Sequence, residues 1–429
     1  MNPKVNPADT LSVRGGVGLT VDLFAGGGGM SCAYHAVTGR HPDVAANHDA
    51  EALAMHAANH PPTLHLGGDI RDLKPLRVTA GRPTSWVHGS PDCKDFSRAK
   101  GAAPRRETVR ALANVLIRWA EETRPDCITL ENVQEFAEWG PVDAHGERIA
   151  SRKGENFKAW CRAIERAGYR LEWDTLNAAD FGAATTRKRL FLVAQRIASG
   201  HPIVWPSATH GPGRAQPWRS ARDVIDFSLP CPSIFGRAKP LAENTQRRIA
   251  RALTTHGHAG LIQTGYGERE GQAPRSLNID APLGTIMAGG NKHALVACIV
   301  KNYGGHEGSG LPIGAPLGTI TTVDHHSLVV ARAPGPHAAE CRAWLDRYVG
   351  RGAMPEIDDI GLRMLTPREL YRAQGFPESY VIDPLFGGVP LTLRAQQKMV
   401  GNSVSPPPAA ALLRANLPPY LLGEVARVA

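Results

Sequence analysis

The chain has 429 residues, 42% of them hydrophobic, with a formal net charge of +9 and a pI near 9.3. That length favours one large domain with a smaller companion, and the charge favours an anionic partner. Seven scattered cysteines without a CxxC pair argue against a disulfide framework or a metal site, and no apolar run is long enough to span a bilayer. Met1 to Thr10 is polar and holds two prolines, so the expectation is a cytoplasmic protein in a reducing compartment, with no membrane and no bound metal.

Leu19 to Phe24 is a short apolar run that reads as a first strand, and Ala25-Gly26-Gly27-Gly28-Gly29 leads from it into a helix-compatible segment at Met30. Strand, glycine loop and helix make a nucleotide-type pocket, because glycines let backbone amides approach a ligand closely. The loop lacks the lysine of a phosphate-binding loop and the spacing of the dinucleotide fingerprint, so a nucleoside without a polyphosphate fits it better. A second strand is predicted at Asp43 to Ala46 with a helix from Ala50 to Ala58, and Leu64 to Ile70 carries the acidic Asp69.

Thr84 to His88 reads as a buried strand, broken at its carboxyl end by Gly89-Ser90-Pro91. Open α/β sheets bind ligands at such ends. Cys93 stands in this turn, followed by Lys94, Ser97, Arg98 and Lys100, surroundings that favour a thiolate nucleophile. From Arg98 to Arg118 six cations, Arg105 and Arg106 among them, face the one acid Glu107, and such a run draws phosphates. A helix is expected from about Thr108 to Glu122, then strands at Asp126 to Leu130, Tyr169 to Trp173 and Arg189 to Ala194. Strands alternating with helices at this spacing imply an α/β fold with a doubly wound, mostly parallel sheet.

After Ile197 proline and glycine rise, and Ala242 to Leu253 is the clear helical stretch. Ala281-Pro282-Leu283-Gly284-Thr285-Ile286 recurs at Ala315 to Ile320, each copy followed by a short apolar strand, Ala294 to Ala297 and Ser327 to Ala331. The two copies read as paired β units of a small, irregular second domain. Thr366-Pro367-Arg368-Glu369 is a capping box opening a helix that runs to about Gln374, and a last helix is expected from about Pro408 to Asn416.

Taken in order, the glycine loop, the Cys93 turn, Glu131-Asn132-Val133, Thr186-Arg187-Lys188-Arg189, Arg363 to Pro377 and Gly401-Asn402-Ser403-Val404 resemble the DNA (cytosine-5)-methyltransferase family over roughly 18–197 and 361–415. The resemblance implies a Rossmann-like methyltransferase domain at 1–197, a β-rich target-recognition domain at 198–360 and a return to the catalytic domain at 361–429. It implies S-adenosylmethionine as cofactor, lined by Asp22, Phe24, Ala25, Gly26, Gly27, Gly28, Asn47, Asp49, Asp69, Ile70 and Asn402. Cys93 matches the family's nucleophile for carbon 6 of cytosine, Glu131 its proton donor at the ring nitrogen, and Arg187 and Arg189 its arginine pair. Lys94, Ser97, Arg98, Lys100, Arg105 and Arg106 would grip the DNA around a cytosine flipped out of the duplex. The implied enzyme is a monomer acting on double-stranded DNA, with a restriction endonuclease as a partner in the cell that the activity does not need.

The chain departs from the family's pattern at three places. Asp92 and Lys94 flank the cysteine where Pro-Cys-Gln is usual, Asn47 with Asp49 stands where a ribose-binding glutamate is usual, and Thr185 replaces a glutamine. Two other readings share most of these features, a catalytically silent DNA-binding relative and an RNA cytosine methyltransferase. Intact Cys93, Glu131 and Arg189 weigh against the first, and the large second domain favours duplex DNA over the second.

Overall fold

The computed structural model describes residues 17–92, 111–256, 259–263, 272–288, 293–300, 336–354 and 357–422. Cys93, Lys94, Ser97, Arg98, Lys100, Arg105 and Arg106 lie outside them, as do the second hexapeptide copy and the strand expected at 327–331. The chain forms two compact units. The first takes in the described residues of Met1–Val224, Ala281–Asn291 and Thr366–Ala429, the second those of Ile225–Asp280 and Lys292–Leu365.

The first unit is built on a seven-stranded sheet of β1 (Leu19–Leu23), β2 (Val44–Asn47), β3 (Leu64–Gly67), β4 (Thr84–Gly89), β5 (Cys127–Asn132), β6 (Tyr169–Asn177) and β7 (Lys188–Arg196), in the order β3-β2-β1-β4-β5-β7-β6. Strands β1 to β5 pair in parallel, and β7 runs antiparallel to both neighbours. Every residue of β1, β4 and β5 is buried, as a parallel strand covered on both faces requires. Alternation decides which face each side chain serves. Val87, Ile128, Leu130 and Leu192 meet the helices Asn114–Thr123 and Glu155–Arg166 on one side. Trp86, Cys127, Phe191 and Val193 meet α1 (Gly29–Thr38) and the helix Pro406–Asn416 on the other. The order of strands reverses between β1 and β4, so their carboxyl ends diverge and leave a crevice above the sheet.

The C-terminal segment closes that crevice. Gly28, the residue before α1, sits at φ +81° and has no side chain to cap the helix. Ser403 does it from 374 residues away, its Oγ accepting from the Gly29 amide at 3.1 Å. A methyl on Gly29 would fall 1.9 Å from the Val404 carbonyl oxygen, so only glycine admits this approach. Tyr380 Oη adds a hydrogen bond to the Gly27 carbonyl at 2.7 Å. The capping box forms as predicted, with Thr366 and Glu369 satisfying each other's backbone amides at the start of Pro367–Gln374.

In the second unit, β8 (Ala259–Gln263), β9 (Ser276–Leu277), β10 (His293–Val300) and β11 (Ile357–Met364) make an antiparallel sheet ordered β11-β10-β8-β9. Helices Glu243–His256 and Ala338–Tyr348 supply Ile249, Leu253 and Leu345 to its core, against Ile262, Val296 and Ile360. The first hexapeptide copy, expected there, belongs to the first unit instead. Its backbone hydrogen-bonds along 184–186, with Leu283 N–H donating to the Ala184 carbonyl at 2.8 Å and Thr186 N–H to the Leu283 carbonyl at 2.7 Å. No helix among the described residues is long and apolar enough to cross a membrane.

Two substitutions test the closure. Gly29→Ala is expected to cost about 1–3 kcal/mol by overpacking, and Leu413→Ala, buried between the same layers, about 2–5 kcal/mol. Both are read from urea unfolding midpoints, and a Gly29→Ala protein as stable as the parent would show that the C-terminal segment does not sit on the glycine loop.

Candidate active site

The strand ends at the β1/β4 divergence open into a cavity of about 570 Å³. Of the residues the sequence singles out, it brings together Phe24, Gly26, Asn47, Asp49, Asp69, Ile70 and Asn402 with Glu131, Arg187 and Arg189. Phe24 stands at φ +61°, a left-handed conformation rare outside glycine, and the Gly26 turn that follows is also left-handed. That strained corner puts the loop after β1 on the cavity wall.

Asp22, Ala25, Gly27 and Gly28 are not among the described lining residues. Each does something else. The Ala25 amide bonds to the Ala46 carbonyl at 3.1 Å, tying the loop to β2. Gly27 packs against Met399, and Gly28 against Tyr380. Asp22 is buried, and burial pushes its carboxyl up to about 7 against the pull of the Ser31 hydroxyl. Ser31 Oγ donates to Asp22 Oδ2 at 2.6 Å, so the 2.9 Å contact between Ser31 Oγ and His56 Nε2 makes His56 the donor. His56 Nδ1 is then left to accept from His65 Nε2 at 2.8 Å. This chain of bonds fastens β1 to α1 and to α2 (Ala50–Asn59) beneath the cavity.

The cofactor side is polar and pinned. Asn47 ends β2, and its Oδ1 accepts from the Asp49 amide at 2.9 Å. Asp49 caps α2 by accepting from Glu51 and Ala52 amides and pairs with Lys398. Burial raises its carboxyl, but Lys398 and the two amides outweigh that and leave it below the usual range. Asp69 is held bidentately by the Arg71 guanidinium, which brings its carboxyl down to about 2. Arg71, Lys398, Tyr380 and Ser403 escaped the sequence reading. Only Ser403 carried a signal, standing inside the Gly401-Asn402-Ser403-Val404 motif.

The chemical side is buried. Glu131 ends β5 at 6% exposure, with Arg189 Nε 3.4 Å and Arg187 Nη2 3.9 Å from its Oε1. Burial raises its carboxyl above the ordinary range, with Arg189 and then Arg187 pulling it back. Oε1 has no hydrogen bond among the described residues and is held by the charge of the two guanidinium groups. The turn before Cys93 is anchored from both neighbouring strands. The Ser90 amide bonds to the Leu23 carbonyl at 3.3 Å, Asn132 Nδ2 donates to the Pro91 carbonyl at 3.1 Å, and His88 Nε2 meets Ser90 Oγ at 2.6 Å. Burial holds His88 neutral, its pKa down near 3. Ser90, Pro91 and Asp92 therefore line the cavity at a fixed height, with Cys93 the next residue in the chain. No cluster of three or more His, Cys, Asp or Glu suited to a metal ion occurs among the described residues.

This sheet order and crevice define an S-adenosylmethionine-dependent methyltransferase fold. The Entamoeba histolytica methyltransferase EhMeth has a TM-score of 0.53 at 13% identity, covering 93% of this chain and 97% of that one. A Spodoptera frugiperda DNMT2 variant gives 0.52 at 17% identity, covering 93% and 99%. A profile of C-5 cytosine-specific DNA methylases matches residues 19–204 and 328–416, more than half of the sequence, and the chain belongs to that family. The type II methyltransferase M.AquIA of Picosynechococcus sp. is 27% identical over 245 residues, spanning 53% of this chain and 96% of that relative. DNA (cytosine-5)-methyltransferase 1A of Oryza sativa is 24% identical over 358 residues, 77% of this chain but 22% of the plant protein.

S-adenosylmethionine is the cofactor, and the cavity suits it. Asn47, Asp49 and Asp69 offer the hydrogen-bonding oxygens a ribose and an adenine amino group need, and the loop after β1 has no lysine for a polyphosphate. Arg71→Ala is expected to let the Asp69 carboxyl rise from about 2 toward its ordinary 3.8, read by carbon-13 titration of the side chain. An unchanged titration would mean that the guanidinium does not hold that carboxylate in solution.

Proposed function

We propose that the chain methylates carbon 5 of cytosine in a specific duplex DNA sequence, flipping the base into the cavity and attacking its carbon 6 with Cys93. The supporting observation is one cavity that holds Asn47, Asp49 and Asp69 alongside Glu131, Arg187 and Arg189, at the end of the turn that leads into Cys93. Glu131 lies too deep for a stacked base to touch, which favours an extruded one. S-adenosylmethionine, when bound, supplies an electrophilic sulfonium methyl.

Carbon 5 of cytosine is a weak nucleophile. Addition of the Cys93 thiolate to carbon 6 moves electron density toward carbon 5 and onto the ring nitrogen. Glu131 meets that charge, because burial raises its affinity for a proton and a protonated carboxyl can donate to the ring nitrogen where a carboxylate could only accept. Arg187 and Arg189 hold the Glu131 carboxyl in place and pull its pKa back. Once carbon 5 has taken the methyl, its proton passes to water, the Cys93 thiolate leaves carbon 6, and the ring nitrogen returns its proton to Glu131, which restores the ring. Lys94, Arg98, Lys100, Arg105 and Arg106 follow the nucleophile in sequence and supply charge for the phosphates beside the flipped base, and Ser97 supplies a hydroxyl donor. The second unit reads the target sequence, and the enzyme works as a cytoplasmic monomer. The type II names of its relatives support pairing with a restriction endonuclease in the cell.

The decisive experiment is transfer of labelled methyl to mixed-sequence duplex DNA followed by nucleoside analysis. Label is expected on 5-methylcytosine and is expected to vanish in Cys93→Ser. DNA that is bound but stays unmodified across diverse sequences, with cofactor bound, would favour a silent binder. The pH profile tests Glu131 separately. Its activity is present while the carboxyl is protonated, so kcat should fall as pH rises through a pKa above the ordinary carboxyl range. Glu131→Gln, which donates at every pH, should lose about 100-fold in kcat and lose that alkaline limb.

A further inference from the structure

The hexapeptide 281–286 follows 225–280 of the second unit, yet it and the described residues to 288 are packed in the first unit. Its contacts there converge on one catalytic side chain. Ala184, Thr185 and Thr186 hold the segment by four hydrogen bonds. Two are the backbone bonds of Leu283 with Ala184 and Thr186; in addition Thr186 Oγ1 donates to the Leu283 carbonyl at 3.3 Å and Thr185 Oγ1 to the Gly284 carbonyl at 3.0 Å. A parallel bridge pairs Thr185 with Leu283, which is fully buried. The next residue along, Arg187, then donates from Nη1 to the Ile286 carbonyl at 2.9 Å and to the Gly401 carbonyl at 3.2 Å. On the far side, a methyl on Gly401 would lie 2.2 Å from the Ala288 nitrogen, so the segment is clamped where it passes the C-terminal helix.

Resting on the methyl-transfer reading above, we propose that 281–288 is a positioning strap for Arg187, with Thr185 as its fastening, so that a segment about a hundred residues along the chain but within the same unit sets the orientation of the arginine that faces Glu131. The physical argument is directional. A guanidinium with five donors is oriented by the acceptors it meets, and Ile286 offers the shorter of the two carbonyl contacts on Nη1. With that carbonyl in place the opposite nitrogen, Nη2, is turned to Glu131 at 3.9 Å. Release the strap and the arginine loses the Ile286 carbonyl that helps to aim it. Thr185 touches neither the cavity nor Glu131, and it is fully buried. Its hydroxyl bond to Gly284, 99 residues away, is the side-chain contact that fixes the strap in register.

The prediction uses the full chain with S-adenosylmethionine and duplex DNA. Thr185→Val keeps the shape and deletes the fastening. It is expected to lower kcat about tenfold at unchanged cofactor affinity, since small displacements of a positioning group carry penalties of that order. It should also move the alkaline limb of the kcat profile to higher pH. Among the described residues the charged groups facing Glu131 are Arg189 of β7 and Arg187 just before it, both of which lower its pKa, so loosening Arg187 lets that pKa rise. A role in folding alone would not move the limb. Thr185→Ser, which keeps the hydroxyl, should restore both rate and limb, and Thr186→Val, deleting the longer 3.3 Å contact, should give a smaller change of the same kind. Unchanged kcat and limb in both valine variants would overturn the proposal. So would loss of cofactor binding in both, which would make the strap a folding element. A wild-type protein that transfers no methyl would count against the methyl-transfer reading instead.

Discussion

A carboxylate buried at the end of a parallel strand is tolerable only where fixed cations compensate it, and the arrangement around Glu131 depends on meeting that condition. Arg187 immediately precedes β7 and Arg189 is its second residue, and both reach Glu131 of β5. The reversal of β7 permits this. An antiparallel strand brings its amino-terminal end next to the carboxyl end of β5, where Glu131 lies. In a uniformly parallel sheet the same pair would sit at the opposite edge from the cavity.

The same crevice is completed by residues far away in sequence. Four segments meet over the strand ends: the loops after β1 and β4, the 281–288 strap, and the C-terminal stretch holding Lys398, Gly401 and Ser403. Glycines stand at the tightest approaches because the segments touch backbone to backbone. Gly29 against Val404 and Gly401 against Ala288 are the closest of these. Polar groups that would otherwise be left unpaired at these seams are shared between segments, as when Ser403 supplies the cap that Gly28 lacks.

Much of this was legible in the sequence where local signals and the final structure agree. The buried strands β1, β4 and β5, the capping box at Thr366 and the helix that ends at Asn416 follow from apolar runs and cap chemistry, and Glu131, Arg187 and Arg189 converge as the motif order implied. What stayed hidden depends on tertiary closure. Asp22, inside the first strand, was matched to a cofactor-lining position by the resemblance alone, and no local signal records that its carboxyl accepts from Ser31. The hexapeptide looked like part of the second domain because neighbours in sequence are usually neighbours in space, and nothing local records that it hydrogen-bonds to 184–186. Strand β11 was hidden by Asp358, Asp359 and Gly361, which break the apolar alternation, although it pairs with β10 along its length and buries Ile357 and Ile360.

The discontinuous first unit has a consequence for biosynthesis. Helix α1 is made well before Leu412, Leu413 and Leu417, which its apolar face packs against. Until they are made, Tyr34 of α1 and Trp86 of β4 lack that cover, while the second unit, contained within 225–365, has its own core and can fold first. The cofactor cavity is therefore complete only once the segment holding Lys398 and Asn402 has been made. Truncated products of interrupted translation should be both inactive and prone to capture by chaperones.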